Sequence, residues 1–331
     1  MRALAWDRNV LYASRRYTLL VCDTANGDFE WRAVAKYSPP WWRNLSASTR
    51  LSSRFFRDGF HALSVLGSGH LVAAVPGAIV TLRPGNNEFR VSHKILRGTR
   101  PLHICSVPNG AIYWGEYFDN PDRDEVHIYG SHDEGKTWSI AYTFPQSTIR
   151  HVHNIVYDQW DNCLWVLTGD NGSECRILRA TCDFQTVEVA LAGNQQARAV
   201  ALVPTRDALY FSSDTPSESN HVYRLDRAGK LTRLAGLTSS SIYGCRVGES
   251  LFFSTMVEPS GANRDRNARL FGSRDSSNWT SLLDWRKDRW PMKYFQYGNV
   301  LLPDGNNRSG LLALTTIAVE KNDLETTMWR L

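Results

Sequence analysis

The sequence predicts an all-β fold, a single β-propeller of four-stranded antiparallel blades over residues 1–331, with seven blades preferred and six the alternative. Three observations carry this prediction. The chain is rich in aromatics (12 Trp, 13 Tyr, 13 Phe) and lacks Ala/Glu/Leu-rich helical stretches, a balance that favours strands. Six segments repeat the order strand, polar turn, strand, and their starts are separated by 42, 50, 45, 45 and 54 residues, the spacing of propeller blades. The stretches between these segments again read strand, turn, strand, so each unit supplies four strands.

Along the chain, "VLYASRRYTLLVCDTANGDFEWRAVAKY" gives three strands of a first unit. Residues 38–60, "SPPWWRNLSASTRLSSRFFRDGF", fit no strand pattern and form the one long irregular insertion, a type of loop that is often functional. The repeats follow: "HALSVLGSGHLVAAV" from 61, "HICSVPNGAIYWGEY" from 103, "HNIVYDQWDNCLWVLTGD" from 153, "RAVALVPTRDALYFSSD" from 198, "YGCRVGESLFFSTMVE" from 243 and "YGNVLLPDGNNRSGLLALTT" from 297. The last unit reads one strand short. If the two terminal segments shared a blade, the count would fall to six and two open sheet edges would close.

Composition narrows the function classes. The formal charge of +5 is spread along the chain, with no basic run longer than the pairs Arg15–Arg16 and Arg286–Lys287, so neither nucleic acid nor a membrane surface is expected as a partner. The N-terminal stretch has no apolar segment followed by small residues, and no apolar run approaches a membrane span. The six cysteines form no CxxC pair and read as reduced, mostly buried thiols, which makes the cytoplasm the expected compartment.

The stretch "YGSHDEGKTW" (129–138) places Ser131, Asp133, Gly135, Thr137 and Trp138 at the spacing S-x-D-x-G-x-T-W, and "GSRDSSNW" (272–279) is a degenerate copy. This pattern resembles the Asp-box (BNR repeat) of sialidase-like β-propellers. The resemblance implies a structural turn between third and fourth strands, on the face away from a ligand site, with Asp133 accepting backbone N–H groups and Trp138 packing between blades.

The site is expected where inner strands start and second strands end, at one mouth of the channel. The aligned repeats place His61, His103, His153, Arg198, Tyr243 and Tyr297 at the starts, and Glu116, Asp170, Asp214 and Glu258 at the ends. Arg150 and His151 lie beside His153. The connections after the four acids, including "SSDTPSESN" with Asn220, form a rim rich in groups that read sugar hydroxyls, and Trp114, Tyr117, Trp41 and Trp42 are candidate stacking platforms.

Three chemistries fit parts of this ring. A glycoside hydrolase needs two carboxylates in different environments, for which Glu116 and Asp170 are the candidates. A sialidase, on the resemblance, would use Tyr243 or Tyr297 with Glu258 and three arginines. Here only Arg198 falls on the ring, with Arg150 near it, and no F-R-I-P-type motif is present. A lyase would use His103 and His153 to move a proton, or His61, His103 and His153 to hold one divalent metal ion, with Arg198 clamping the substrate carboxylate. The expected ligand is an acidic or highly hydroxylated saccharide, or another small polar molecule, with Arg150, His151, Asp214, Asn220 and Glu258 as binding groups. The alternative is a non-enzymatic propeller serving as a protein-interaction or carbohydrate-binding platform, which would show aromatic or Arg hot spots on its rim.

Overall fold

Seven antiparallel sheets follow one another around a central axis in the computed structural model, which describes residues 1–27 and 29–331. Each sheet runs from an inner strand outward. The first blade is Arg2–Arg8, Val10–Arg15, Thr18–Asp23 and Arg32–Lys36. Blades 2 to 6 start at the inner strands Ala62–Val65, Cys105–Ser106, Val152–Asp158, Ala199–Pro204 and Ser241–Val247. Blade 7 has three strands, Asn299–Leu301, Leu311–Ile317 and Thr326–Arg330.

Among the described residues, apolar clusters fill each of the seven gaps between neighbouring blades, and a small eighth one lies around Leu301, Ile317 and Ala318. Cys163, Trp165 and Leu167 of blade 4, for example, pack against Ala199, Leu209 and Phe211 of blade 5. The cause lies in the alternation of strand side chains: a sheet stacked on both faces buries both residue parities, so second strands such as Leu71–Val75 and Cys163–Thr168 are buried along their whole length. The fourth strands keep an exposed parity and face solvent, as in Val187–Ala192.

Seven sheets are present among the described residues, so the six-bladed alternative fails even though a C-terminal strand joins the first sheet. The N-terminal segment builds all four strands of blade 1, including the inner strand Arg2–Arg8, which the repeat pattern did not reveal. Closure comes from this short strand, Asp304–Asn307, paired parallel to Arg2–Arg8, and from the Ala3 N–H donating to Thr315 Oγ1 at 2.8 Å. Gly305 makes this pairing possible. It sits at φ +91°, and a Cβ there would lie 2.2 Å from the Trp6 carbonyl oxygen.

The 38–60 insertion is helical rather than irregular. Helices Trp41–Ser46 and Arg50–Phe55 are joined at Thr49, whose hydroxyl accepts the Ser52 N–H at 3.2 Å as an N-cap. Asp58 ties the first helix down by accepting from Arg43, Ser46 and Tyr17.

Candidate functional site

The Asp-box turns occupy the third-to-fourth strand connections of blades 3 and 6. In the first, Asp133 accepts the Thr137 N–H at 2.9 Å and the Ser131 and Thr137 hydroxyls. Slight burial would raise its pKa, but these bonds outweigh it and lower it. Trp138 donates to Ser92 Oγ at 3.1 Å and sits edge-on to Trp114, in the gap between blades 2 and 3. Asp275 makes the equivalent bonds with Ser277 and Asn278 in the degenerate copy.

The channel has two unlike ends. On the face of the Asp-box turns a cavity of about 900 Å³ opens between the turns that join inner to second strands. Deep in it, His103 Nδ1 meets Asp304 Oδ2 at 2.9 Å, and the imidazole lies edge-on to Tyr243 at 6.1 Å between ring centres. At the opposite end, where inner strands start, charged side chains fill the mouth. Arg2 Nη1 contacts His61 Nδ1 at 2.8 Å, and His61 Nε2 donates to the Arg57 carbonyl at 2.6 Å. Burial, then the Arg100 and Arg2 charges, holds the His61 pKa well below normal, so the ring is neutral. Arg100 is itself pushed down to about 9 by burial and by its neighbours Arg2 and Arg57. The Nε atoms of Arg2 and Arg100 have no partner among the described residues.

Across the mouth stands an acidic half. Asp170 lies within 3.1 Å of Arg198 Nη2, 3.3 Å of Arg150 Nη1, 3.4 Å of His153 Nε2 and 3.6 Å of His151 Nε2. Burial disfavours its charge, but the Arg198 guanidinium among the groups around it outweighs that and lowers its pKa. Asp214 is the reverse case. Burial pushes its pKa up to about 8, with the Glu258 and Asp170 charges adding to the effect and Arg198, 3.5 Å away, opposing it. Asp214 Oδ1 has no partner among the described residues. Glu258 accepts from Ser240 Oγ at 2.6 Å. Two carboxylates on either side of one arginine are thus in opposite protonation states, the split that acid/base pairs use.

Some residues expected at the site are occupied elsewhere. Glu116 is buried, its two oxygens taken by Arg97 and by the His127 N–H, so it stands apart from Asp170. Asn220 is buried and bonded to Ser213, Thr215 and Asn263, a structural brace. His61, His103 and His153 do not converge on one ion, because each faces a different partner: Arg2, Asp304 and the His151–Asp170 pair. Trp114 is buried and stacked on Tyr129. Tyr117 packs against His151 with ring centres 4.3 Å apart. Tyr297 is 40 % exposed at the outer edge of the mouth, and Trp41 and Trp42 are exposed on the insertion. Arg2, Arg57 and Arg100 were not on the expected ring, since they come from a strand the repeat did not reveal and from two connections; no spacing signal marks them.

The insertion carries an exposed aromatic surface. Trp42, Phe56, Phe55 and Tyr294 form a continuous chain of ring contacts at 6.3, 5.0 and 6.3 Å, with Trp41 and Leu45 exposed beside them. Arg43 lies over Trp42, Lys293 over Tyr294 and Arg289 over Trp290. No helix among the described residues is long and apolar enough to cross a membrane.

No protein-family model and no curated protein sequence matches this chain. Solved structures do. A chain of the mitotic checkpoint complex is similar over 100 % of this chain and 90 % of its own, with a TM-score of 0.58 at 12 % identity. A chain of the nidogen/laminin complex is similar over 88 % of this chain and 96 % of its own, with a TM-score of 0.54, also at 12 % identity. At this identity the likeness speaks for the fold alone, and it agrees with the sheets counted above: the chain is a seven-bladed β-propeller.

Proposed function

We propose that this propeller is a protein-interaction platform whose docking surface is the aromatic patch of the helical insertion. The observation that carries the reading is the exposure of Trp42 (41 %), Phe56 (45 %), Phe55 (46 %) and Tyr294 (49 %) in one chain of ring contacts. Exposed rings of this kind, held rigid, are the residues that dominate protein interfaces, and singly scattered apolar residues would not form such a chain. Its fringe carries two cations over the rings, Arg289 and Lys293, while nearby Asp288 and Asp323 are engaged in ion pairs and Arg43, over Trp42, is paired with Asp58. The partner that fits is a protein segment bearing Leu or Phe anchors among Asp and Glu. The two similar propellers named above come from structures of protein complexes, which accords with this role.

Selection from a random displayed-peptide library tests it. Enriched peptides should combine acidic and large apolar residues, and Trp42→Ala with Phe55→Ala should weaken their binding at least tenfold without changing the circular dichroism. No enrichment would overturn the proposal. Sedimentation with phosphatidylcholine/phosphatidylserine vesicles that is lost in the same variant would replace the protein partner by a lipid surface.

A second reading is a saccharide or other small polar ligand at the inner-strand mouth. It is favoured by the neutral Asp214 beside the ionised Asp170, and the two Asp-box turns support kinship with sialidase-like propellers. A glycan-binding screen of the wild type against Asp214→Asn tests it, and binding unchanged by the substitution would remove Asp214 from the site. Cytoplasmic residence is proposed on the six unpaired cysteines.

A further inference from the structure

His153 lies on the strand that opens blade 4, His151 stands just before that strand, and Asp170 follows the neighbouring strand Cys163–Thr168. Their potential donor atoms meet: His151 Nε2 and His153 Nε2 at 3.1 Å, His153 Nε2 and Asp170 Oδ1 at 3.4 Å, His151 Nε2 and Asp170 Oδ1 at 3.6 Å. The far nitrogens settle the tautomers. His151 Nδ1 lies 3.0 Å from the Phe118 carbonyl oxygen and His153 Nδ1 lies 2.9 Å from that of Ala199. A carbonyl oxygen only accepts, so both Nδ1 atoms carry hydrogen, and in its neutral form each ring presents a bare Nε2. Two imidazole lone pairs and a carboxylate oxygen therefore point at one another inside the protein, an arrangement that repels unless a cation stands among them.

We propose that His151, His153 and Asp170 bind a zinc ion. A tetrahedral zinc ion at its usual 2.0–2.1 Å from nitrogen spaces its ligand atoms about 3.3–3.4 Å apart, and the three separations bracket that value. An octahedral magnesium would ask for about 2.9 Å and for oxygen ligands. The surroundings are those of a metal centre. Each histidine donates its second nitrogen to a backbone carbonyl, which fixes its ring, and Arg150 and Arg198 orient the carboxylate. Both histidines are at least nine-tenths buried, and Tyr117 covers one side. Three protein ligands leave the fourth position to an exogenous group. The other cluster of metal-ligating types, Asp158, Asp161 and Cys163, has both carboxylates engaged by Arg227.

The test uses untagged full-length protein, dialysed against EDTA and titrated with Zn²⁺ alone by calorimetry, then with Co²⁺ by visible absorption. The expected result is one zinc per chain and the intense ligand-field bands of a tetrahedral cobalt site. His151→Gln, His153→Gln and Asp170→Asn should each weaken zinc binding at least about 100-fold. His61→Gln and His103→Gln should leave it unchanged. No uptake by the folded wild type would overturn the proposal and leave a proton shared between the rings. Uptake that survives all three ligand substitutions would overturn it too. If a ligand variant fails to fold, the wild-type cobalt spectrum decides, since weak octahedral bands exclude the tetrahedral site.

Discussion

Arg54 anchors the aromatic patch, and its removal gives a direct measure of how the insertion is held. The side chain is 2 % exposed and spans two blades' worth of connections: Nη1 pairs with Asp288 Oδ2 at 2.5 Å and Asp323 Oδ2 at 3.2 Å, while Nε and Nη2 donate to the Phe295 carbonyl. Replacing it with Met keeps the aliphatic stem and deletes every one of these bonds. Breaking a buried pair by removing one partner costs about 3–5 kcal/mol. Here the stranded acids keep other partners, Lys287 for Asp288 and Arg50 at 3.0 Å for Asp323, which argues for the lower end, about 3 kcal/mol. Applied to local opening of the insertion, that is roughly a hundredfold gain in the open population. Hydrogen exchange followed by mass spectrometry reads it directly. Protection over 41–57 should fall about 100-fold in Arg54→Met, while the inner strands of blades 4 and 5 stay unchanged. Unchanged protection over 41–57, or an equal loss in every blade, would refute the view that Arg54 clasps this segment.

Three further outcomes are expected. Gly305→Ala forces a Cβ against the Trp6 carbonyl at positive φ and should destabilise the ring by about 2 kcal/mol or more in urea unfolding. Asp133→Ala removes the acceptor of the Asp-box turn on an exposed connection and should cost about 1 kcal/mol, with hydrogen exchange raised only near 131–138. Asp214 titrates near 8 when folded and near 4 when unfolded, so the native state holds the extra proton between those values. Its contribution to stability is complete below the unfolded pKa and is lost as pH rises towards 8, at up to about 1.4 kcal/mol per pH unit. Asp214→Asn should remove that slope in urea titrations from pH 4 to 9; parallel curves for the two proteins would count against it.

The blades were legible because the repeat writes the same two periodicities many times, and a strand-turn-strand order survives wide sequence drift. The inner strand Arg2–Arg8 was not aligned with the repeats, although "RALAWDR" opens on an arginine as "RAVALVP" does; its place is fixed by its partners, Val10–Arg15 and Asp304–Asn307. The insertion helices were missed for a related reason. "WWRNLS" and "RLSSRF" are six residues each, too short to display a helical period, and their helicity rests on the Thr49 cap and on Arg54 reaching residues more than 200 positions away. At the site, the alternation of His151 and His153 and the strand-end position of Asp170 could be read directly. The diversion of Glu116 to Arg97 could not, since it depends on where a loop nineteen residues upstream folds back.

The apolar core between blades 7 and 1 is small: Ala3, Trp6, Leu11, Leu311 and Ala313. Arg54 belongs to the connection between blades 1 and 2, whereas Asp288 and Asp323 belong to the far side of that seam. The same arginine that steadies the docking surface therefore also bolts the ring across its closing joint. Thermodynamic reciprocity then ties the two together. Whatever free energy the closed joint contributes to partner affinity, an engaged partner returns to the joint, so occupancy of the patch sets how often the ring breathes open.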